Sequence, residues 1–327
     1  MTTIFISGAT GYVAQHIIKL SLLKGYFVIG SVRSAAKGER LRQLFNSEKF
    51  TYEIAEKLEN PGAFNQVLQK HPEISVFIHT ASPVTMNAKD PEKDTMIPAL
   101  EGSKNALNAI YEFGHNIKKV ILTSSYVALS DLLTPGRTAT ESTWNSVTWE
   151  MAKADGRLAY HASKKYAEKV AWDFVKDKNV GFEFTLINPA YVFGPQAFDE
   201  DAKGTLNLSA EMICSLTRLK EGDEVATKRR PFIDVRDVAK AHVLAVERDF
   251  AGKRLLMAES NFSQQLALNI IRKQFSHLNL PPGNPDADGK DDLFDNSKTR
   301  QLLGFEFIDL ETSIRDMVTQ YLKNEQS

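Results

Sequence analysis

Thr3-Ile4-Phe5-Ile6-Ser7-Gly8-Ala9-Thr10-Gly11-Tyr12-Val13-Ala14 is the stretch whose reading decides the fold. Residues 3–7 are a short apolar run with strand character. Gly8 and Gly11, with Ala14 three residues on, mark a tight turn, a backbone able to approach a diphosphate, and a helix packed close to its sheet. Gln15 to Lys24 then reads as an amphipathic helix with Ile17, Ile18, Leu20, Leu22 and Leu23 apolar, and Gly25 ends it. Tyr26 to Val32 is a second strand. Strand, glycine turn, helix and strand make a βαβ unit that opens a parallel sheet, with free N–H groups at the helix start suited to an anion. Gly8, Ala9, Thr10, Gly11, Tyr12 and Val13 are therefore candidate diphosphate contacts.

Composition bounds the rest. The chain has 327 residues, 43% hydrophobic and 25% charged, as expected of a globular enzyme of one elaborated domain or two. A net charge of −1 implies no nucleic-acid partner. A single cysteine, Cys214, cannot form an internal disulfide and fits a reducing compartment. The amino terminus runs directly into a strand pattern without secretory features, and no apolar run is long enough to span a bilayer. The expectation is a cytoplasmic protein with no membrane partner, no metal, and a monomeric or homodimeric state.

Past the first unit, strands and helices alternate. Leu41–Phe45 reads as helix, 50–55 as strand, 63–69 as helix, 75–80 as strand, 100–111 as helix, 119–125 as strand, 160–176 as helix and 182–188 as strand. Gly30-Ser31-Val32-Arg33-Ser34-Ala35-Ala36-Lys37 ends the second strand without the acidic residue that would take the ribose 2′-hydroxyl of NAD. Arg33 and Lys37 stand where a 2′-phosphate would be, which favours NADP. His79 ends the fourth strand, and a packed histidine explains it better than catalysis. Residues 130–153 are polar and irregular, long enough to be expected beside an active site. The alternation then fades. Residues 196–230 read as mostly helical, Asp237 as the N-cap of a helix over 238–247, 255–258 as a late strand, 281–292 as a mobile loop, and 299–303 and 310–323 as closing helices. The fold class is α/β: a Rossmann-type doubly wound parallel sheet with a smaller, mostly helical C-terminal lobe. Residues 1–192 form the nucleotide domain, segments near 231–260 return to it, and 193–327 supply a discontinuous substrate-binding lobe.

Tyr160-His161-Ala162-Ser163-Lys164 carries the candidate chemistry. Of the nine tyrosines, only Tyr160 has a lysine four residues on, which puts both on one helical face. An adjacent ammonium favours the phenolate and lowers a phenol from its usual value near 10. Such a tyrosine protonates a nascent alkoxide. Ser125, at the carboxyl end of the fifth strand, would share the crevice of the glycine turn and hold a carbonyl oxygen.

Gly8-x-x-Gly11-x-x-Ala14, Ser125 and Tyr160-x-x-x-Lys164 together resemble the short-chain dehydrogenase/reductases, and the length resembles their extended branch. His79-Thr80-Ala81-Ser82-Pro83, Leu122-Thr123-Ser124-Ser125, Glu141-Ser142-Thr143-Trp144-Asn145, Asn188-Pro189, Val192-Phe193-Gly194-Pro195 and Ile233-Asp234-Val235-Arg236-Asp237-Val238-Ala239 are similar to the dihydroflavonol-reductase-like group. Within that group the chain most resembles fungal NADPH-dependent methylglyoxal and 3-methylbutanal reductases. The resemblance implies an aldehyde or ketone reductase using NADPH/NADP+ on a small carbonyl substrate. It implies that Ser125 orients the carbonyl, Tyr160 gives the proton, and Lys164 tunes Tyr160 and holds the nicotinamide ribose. It also implies cofactor contacts at Val192 and Ser209, and a substrate pocket lined by Val84, Tyr126, Ser130 and Tyr191. Lys57-Leu58 occupies the adenine-facing place, where the family usually has an acidic residue and then an aliphatic one. Val84 and Ser130 are smaller than the aromatic residues often found at those positions, which implies a roomier pocket.

Two other functions suit the same scaffold. A nucleotide-sugar epimerase or dehydratase would hold NAD tightly, against which Arg33 and Lys37 argue. A non-catalytic NADP sensor tends to lose the tyrosine, whereas Ser125, Tyr160 and Lys164 are all present. The NADP reading predicts that Arg33→Glu raises the Michaelis constant for NADPH far more than that for NADH; steady-state kinetics with both cofactors checks it, and equal effects would remove it.

Overall fold

The computed structural model describes residues 2–82, 89–284 and 290–325. The expected βαβ unit is β1 (Thr3–Ser7), α1 (Tyr12–Leu23) and β2 (Phe27–Val32). There follow α2 (Ala35–Phe45), β3 (Phe50–Ile54), α3 (Asn65–Lys70), β4 (Val76–His79), α4 (Ile97–Phe113) and β5 (Lys119–Thr123). Then come α5 (Trp149–Ala154), α6 (Ala159–Lys178), β6 (Glu183–Pro189), β7 (Tyr191–Phe193), α7 (Leu208–Cys214), β8 (Arg230–Asp234) and α8 (Val235–Glu247). The chain closes with β9 (Lys253–Met257), β10 (Ser260–Phe262), α9 (Gln264–Gln274), α10 (Ser297–Leu303) and α11 (Leu310–Glu325).

Seven parallel strands make the main sheet, in the order β3-β2-β1-β4-β5-β6-β9. Its order reverses between β1 and β4, and ligands of such sheets bind outside the carboxyl ends of the strands at that reversal. The strands read as continuous apolar runs because both faces are covered. Ile4 and Ile6, Val76 and Ile78, Ile121 and Ile187 pack on one face with Ile17 and Ile18 of α1 and Val238 and Ala241 of α8. Phe5, Phe77, Val120, Leu122, Phe184 and Leu186 point the other way, against Leu68, Leu107, Ile110 and Ala171 of α3, α4 and α6.

A second sheet of three strands, β10-β8-β7, lies in the later part of the chain. Phe193, Phe232 and Phe262, one from each strand, meet there; the first two rings stack at 5.8 Å and the first and third meet edge-on at 4.5 Å. Helices α7, α9 and α11 cover this cluster with Ile213, Leu268, Ile314 and Val318. Among the described residues no helix is long and apolar enough to cross a membrane.

Several expectations are corrected. Residues 196–230 are mostly irregular, with only α7 and short turns at Asp199–Ala202 and Ser215–Arg218. Pro231-Phe232-Ile233 is strand, because its neighbours β7 and β10 supply pairing that a local reading cannot see. Of the 281–292 loop, residues 285–289 lie outside the described residues. The α8 cap is Asp234, not Asp237: Asp234 is extended at φ −76°, ψ 142°, and accepts the Arg236 N–H at 2.8 Å. Asp237 sits inside the first turn instead and accepts the Ile308 N–H at 2.7 Å, and burial pushes its carboxyl up to about 6.

Asp234 does more than cap. Fully buried, it pairs with Arg236 through both oxygens (2.9 and 2.8 Å), and Arg236 reaches Asp316 of α11 at 2.8 Å. This ties the sheet end to the last helix. Asp234→Ala removes the cap and leaves Arg236 short of its partner, so it should lower stability by about 2 kcal/mol or more in urea unfolding. An unchanged midpoint would contradict the tethering role.

Candidate active site

Gly8 turns the chain at φ +70°, in the left-handed region that glycine adopts without strain. A Cβ there would lie 2.9 Å from Cβ of Ala81, so the turn after β1 presses against the chain leaving β4. The Gly8 and Ala9 N–H groups bond Ser31 at the end of β2, through its hydroxyl and its carbonyl, each at 2.9 Å. Gly11 begins α1 with no side-chain cap, and the first intrahelical bond runs from Gln15 N to Gly11 O at 2.9 Å. The preceding N–H groups of the helix are thus left for an anion. Thr10 and Gly11 are exposed; Val13 is half-buried against the core.

Arg33 follows β2 and Lys37 lies in the first turn of α2. Both are exposed, and neither side chain makes a hydrogen bond or ion pair among the described residues. Two unpaired cations beside a diphosphate turn fit a cofactor with a further phosphate. Lys57 is also exposed. Leu58 is half-buried, its carbonyl held by Asn105 Nδ2 of α4 at 3.0 Å.

A chain of hydrogen bonds ties this end of the sheet to the later segments. The Tyr12 hydroxyl donates to the Gly194 carbonyl at 2.6 Å, His16 meets the Pro195 carbonyl at 3.0 Å, and Lys19 donates to that of Ala197 at 2.7 Å. Gln196 donates to Asn207 at 3.0 Å and Asn207 to the Ser209 hydroxyl at 2.8 Å. Ser209, early in α7, is therefore connected through Asn207 and Gln196 to the segment that α1 holds, and Val192, in β7, packs against the core cluster to which α1 contributes.

Ser125, Tyr160 and Lys164 come together at the carboxyl edge of β5. Ser125 is extended (φ −159°), caps the turn Tyr126–Ala128 by accepting the Val127 N–H at 3.4 Å, and its hydroxyl acts on the Tyr160 phenol. Tyr160 opens α6, half-buried, with Lys164 one turn on and its Nζ 5.9 Å from the ring centre. The expected lowering of the phenol is not found in the chain alone. Burial raises Tyr160, the Ser125 hydroxyl opposes that, and the nearby Tyr191 adds to it. Lys164 moves as well: 8% exposed, it is lowered to about 8 by burial, against which Glu168 acts. The ammonium is itself desolvated, so it does not dominate the phenol.

Tyr126 is buried and burial raises its phenol well above the usual value; the Ser130 N–H bonds its carbonyl at 3.0 Å. Tyr191 is half-buried and accepts a 2.5 Å bond from Arg230. Val84, the remaining pocket candidate, lies outside the described residues. The 130–153 segment does border this site. Asn145 donates to the carbonyls of Val127 (2.6 Å) and His161 (3.2 Å), and Lys165 to that of Val147 at 2.6 Å. His79 is packed: it bonds the Ser7 hydroxyl at 2.9 Å and burial lowers it to about 4, helped by the charge of Lys164. No group of three or more His, Cys, Asp and Glu side chains able to hold a metal occurs among the described residues.

Sequence reasoning missed Glu168 and Arg254, which stand behind the site as a buried ion pair at 2.5 Å. Glu168 carried a signal, since it repeats the spacing from Tyr160 to Lys164 once more along the helix. Arg254 carried none.

A dinucleotide-type turn, an anion-ready helix start and a serine–tyrosine–lysine set at one sheet edge invite comparison with known proteins. The putative NADPH-dependent methylglyoxal reductase GRP2 of Candida albicans is 48% identical over 98% of each chain. The NADPH-dependent methylglyoxal reductase GRE2 of Saccharomyces cerevisiae is 41% identical over 99% of each. The crystal structure of the yeast methylglyoxal/isovaleraldehyde reductase Gre2 complexed with NADPH superposes with a TM-score of 0.94 at 41% identity, covering 99% of each chain. The model of the NAD dependent epimerase/dehydratase family matches residues 4–257. The chain belongs to that family, within the extended branch of the short-chain dehydrogenase/reductases.

Proposed function

We propose that this protein is an NADPH-dependent carbonyl reductase that converts small aldehydes and ketones, methylglyoxal and 3-methylbutanal among them, to alcohols. The observation that carries the reading is the meeting of Ser125, Tyr160 and Lys164 beside the uncapped start of α1. The full-length similarity to proteins named as NADPH-dependent methylglyoxal reductases supports it.

The Gly8–Val13 turn would cradle the diphosphate, with the uncommitted N–H groups at the start of α1, Tyr12 and Val13, donating to it; Arg33 and Lys37 would hold the 2′-phosphate, and Lys164 the nicotinamide ribose. Bound NADPH supplies the hydride. Ser125 donates to the carbonyl oxygen and holds the carbonyl in line. Tyr160 passes its phenolic proton to that oxygen as negative charge builds there. A phenol raised by burial keeps its proton at neutral pH, as an acid must. Lys164, charged below about pH 8, faces the phenolate left behind. Tyr126, Ser130 and Tyr191 would line the carbonyl's side chain, and residues after 193 would form the substrate lobe over the nucleotide domain.

The family match keeps a nucleotide-sugar epimerase or dehydratase as a second reading. Protein purified without nicotinamide absorbance would count against it.

Tyr160→Phe should lower turnover by about 10²–10⁴-fold while NADPH binding, followed by fluorescence titration, stays largely intact. Retained turnover would overturn the assignment. Because Lys164 loses its charge above about 8, kcat for carbonyl reduction should fall as pH rises through that value. A rate that climbs steadily to pH 10 would contradict that role for Lys164.

A further inference from the structure

Behind the reactive edge lies a polar cluster that the reaction itself does not use. Glu168, one turn after Lys164 on α6, is fully buried. Its Oε2 accepts from the Ser124 hydroxyl at 2.6 Å and from Asn188 Nδ2 at 2.8 Å; its Oε1 pairs with Arg254 Nε at 2.5 Å. Asn188 Nδ2 also donates to the Ser125 carbonyl at 3.2 Å. Arg254, from β9, donates through Nη1 to the carbonyls of Glu141 (3.1 Å) and Thr143 (2.7 Å), and its guanidinium lies 4.0 Å from the centre of the Trp144 ring. The Glu141 carboxylate accepts from the Thr299 N–H and hydroxyl at 3.0 and 2.7 Å. One buried ion pair thus joins the ends of β5 and β6, α6, β9 and the loop that flanks the site.

Placing two charges out of water is expensive, and replacing such a pair by apolar residues is often neutral or stabilising. Stability alone therefore does not explain it, whereas its contacts do. Every polar atom it grips belongs to a residue of the reactive edge, an immediate neighbour, or the loop beside it.

We propose that the Glu168–Arg254 pair is a positioning device for the carbonyl-reducing site: it sets Ser125 and Lys164 against Tyr160 and locks the Glu141–Trp144 loop alongside. The inference rests on the proposed reductase reading. Glu168 acts on Ser125 through Asn188 and Ser124, and on Lys164 along the helix. Its negative charge also opposes the lowering of Lys164 by burial. The other ionisable groups around these side chains are Tyr160 on α6 itself, His79 from β4, which Lys164 influences, Glu141 beside Arg254, and Lys169, whose Nζ lies 5.4 Å from the centre of the Trp144 ring.

The test compares the parent protein with Glu168→Gln, which deletes the negative charge, and with Glu168→Leu/Arg254→Met, which removes both charges and avoids an unpaired buried ion. Folding is followed by circular dichroism. The positioning role predicts a folded double variant whose kcat for methylglyoxal falls about tenfold or more, with little change in KM for NADPH. It also predicts that the alkaline limb of the kcat profile moves to lower pH in Glu168→Gln. Nitrogen NMR of the Lys164 ammonium, assigned with Lys164→Met, should show the same downward shift without any turnover. A folded double variant with parental kcat, or a Lys164 titration unmoved in either variant, would overturn the proposal. A parent protein that reduces no carbonyl would instead sink the reductase reading, and the Lys164 titration would still decide the positioning claim.

Discussion

Lys164 is a cation held out of water, and much of the site follows from that constraint. A buried ammonium loses its proton readily unless anions and dipoles support it. Glu168 supplies that support from the next turn of α6, and Arg254 in turn pairs with Glu168 and holds it in place. Tyr160, Lys164 and Glu168 recur at one spacing on one helical face, so a single helix carries in sequence the groups proposed as acid, supporting cation and anchor. The phenol is accordingly half-buried and the charges behind it are out of solvent. Burial raises the phenol and lowers the ammonium, so the two values are driven apart, with the ammonium the lower.

The sheet explains why these groups meet the glycine turn. All seven strands of the main sheet are parallel, so their carboxyl ends open on one edge. The turn after β1, the hydroxyls after β5 and Asn188 in β6 are brought to that edge by strand direction alone. The later segments are then fastened to it from α1, where Tyr12, His16 and Lys19 each hold a carbonyl between Gly194 and Ala197. Movement of that later part relative to the turn would have to break these bonds.

Legibility in the sequence follows the range of the forces involved. The βαβ opening, the alternation up to residue 189 and the late strand near 255 were readable because apolar periodicity and glycine placement are local signals. The Ser125, Tyr160 and Lys164 set was readable through spacing and through resemblance. The strands β7, β8 and β10 were not, since they are short, include Pro231, and exist by pairing with one another. Helix α9 passed unnoticed although Ser263 caps it, accepting the Leu266 N–H at 3.1 Å, because polar residues are interleaved with its apolar face. Two aspartates in the same motif suit the α8 cap, and only the backbone angles separate Asp234 from Asp237. The direction of the Tyr160 shift is not legible, because spacing reveals neighbours and says nothing of how deeply they are buried. Arg254 was invisible for a related reason: it joins Glu168 only through the fold.

The central claim is hydride delivery from NADPH to a carbonyl carbon at the Tyr160 edge. The most direct measurement uses NADPH deuterated at the transferable position of its nicotinamide ring, with methylglyoxal and the purified protein, and mass spectrometry of the product. The account predicts one deuterium on the new carbinol carbon for each NADPH consumed. NADPH left intact, or an alcohol formed without deuterium, would contradict it.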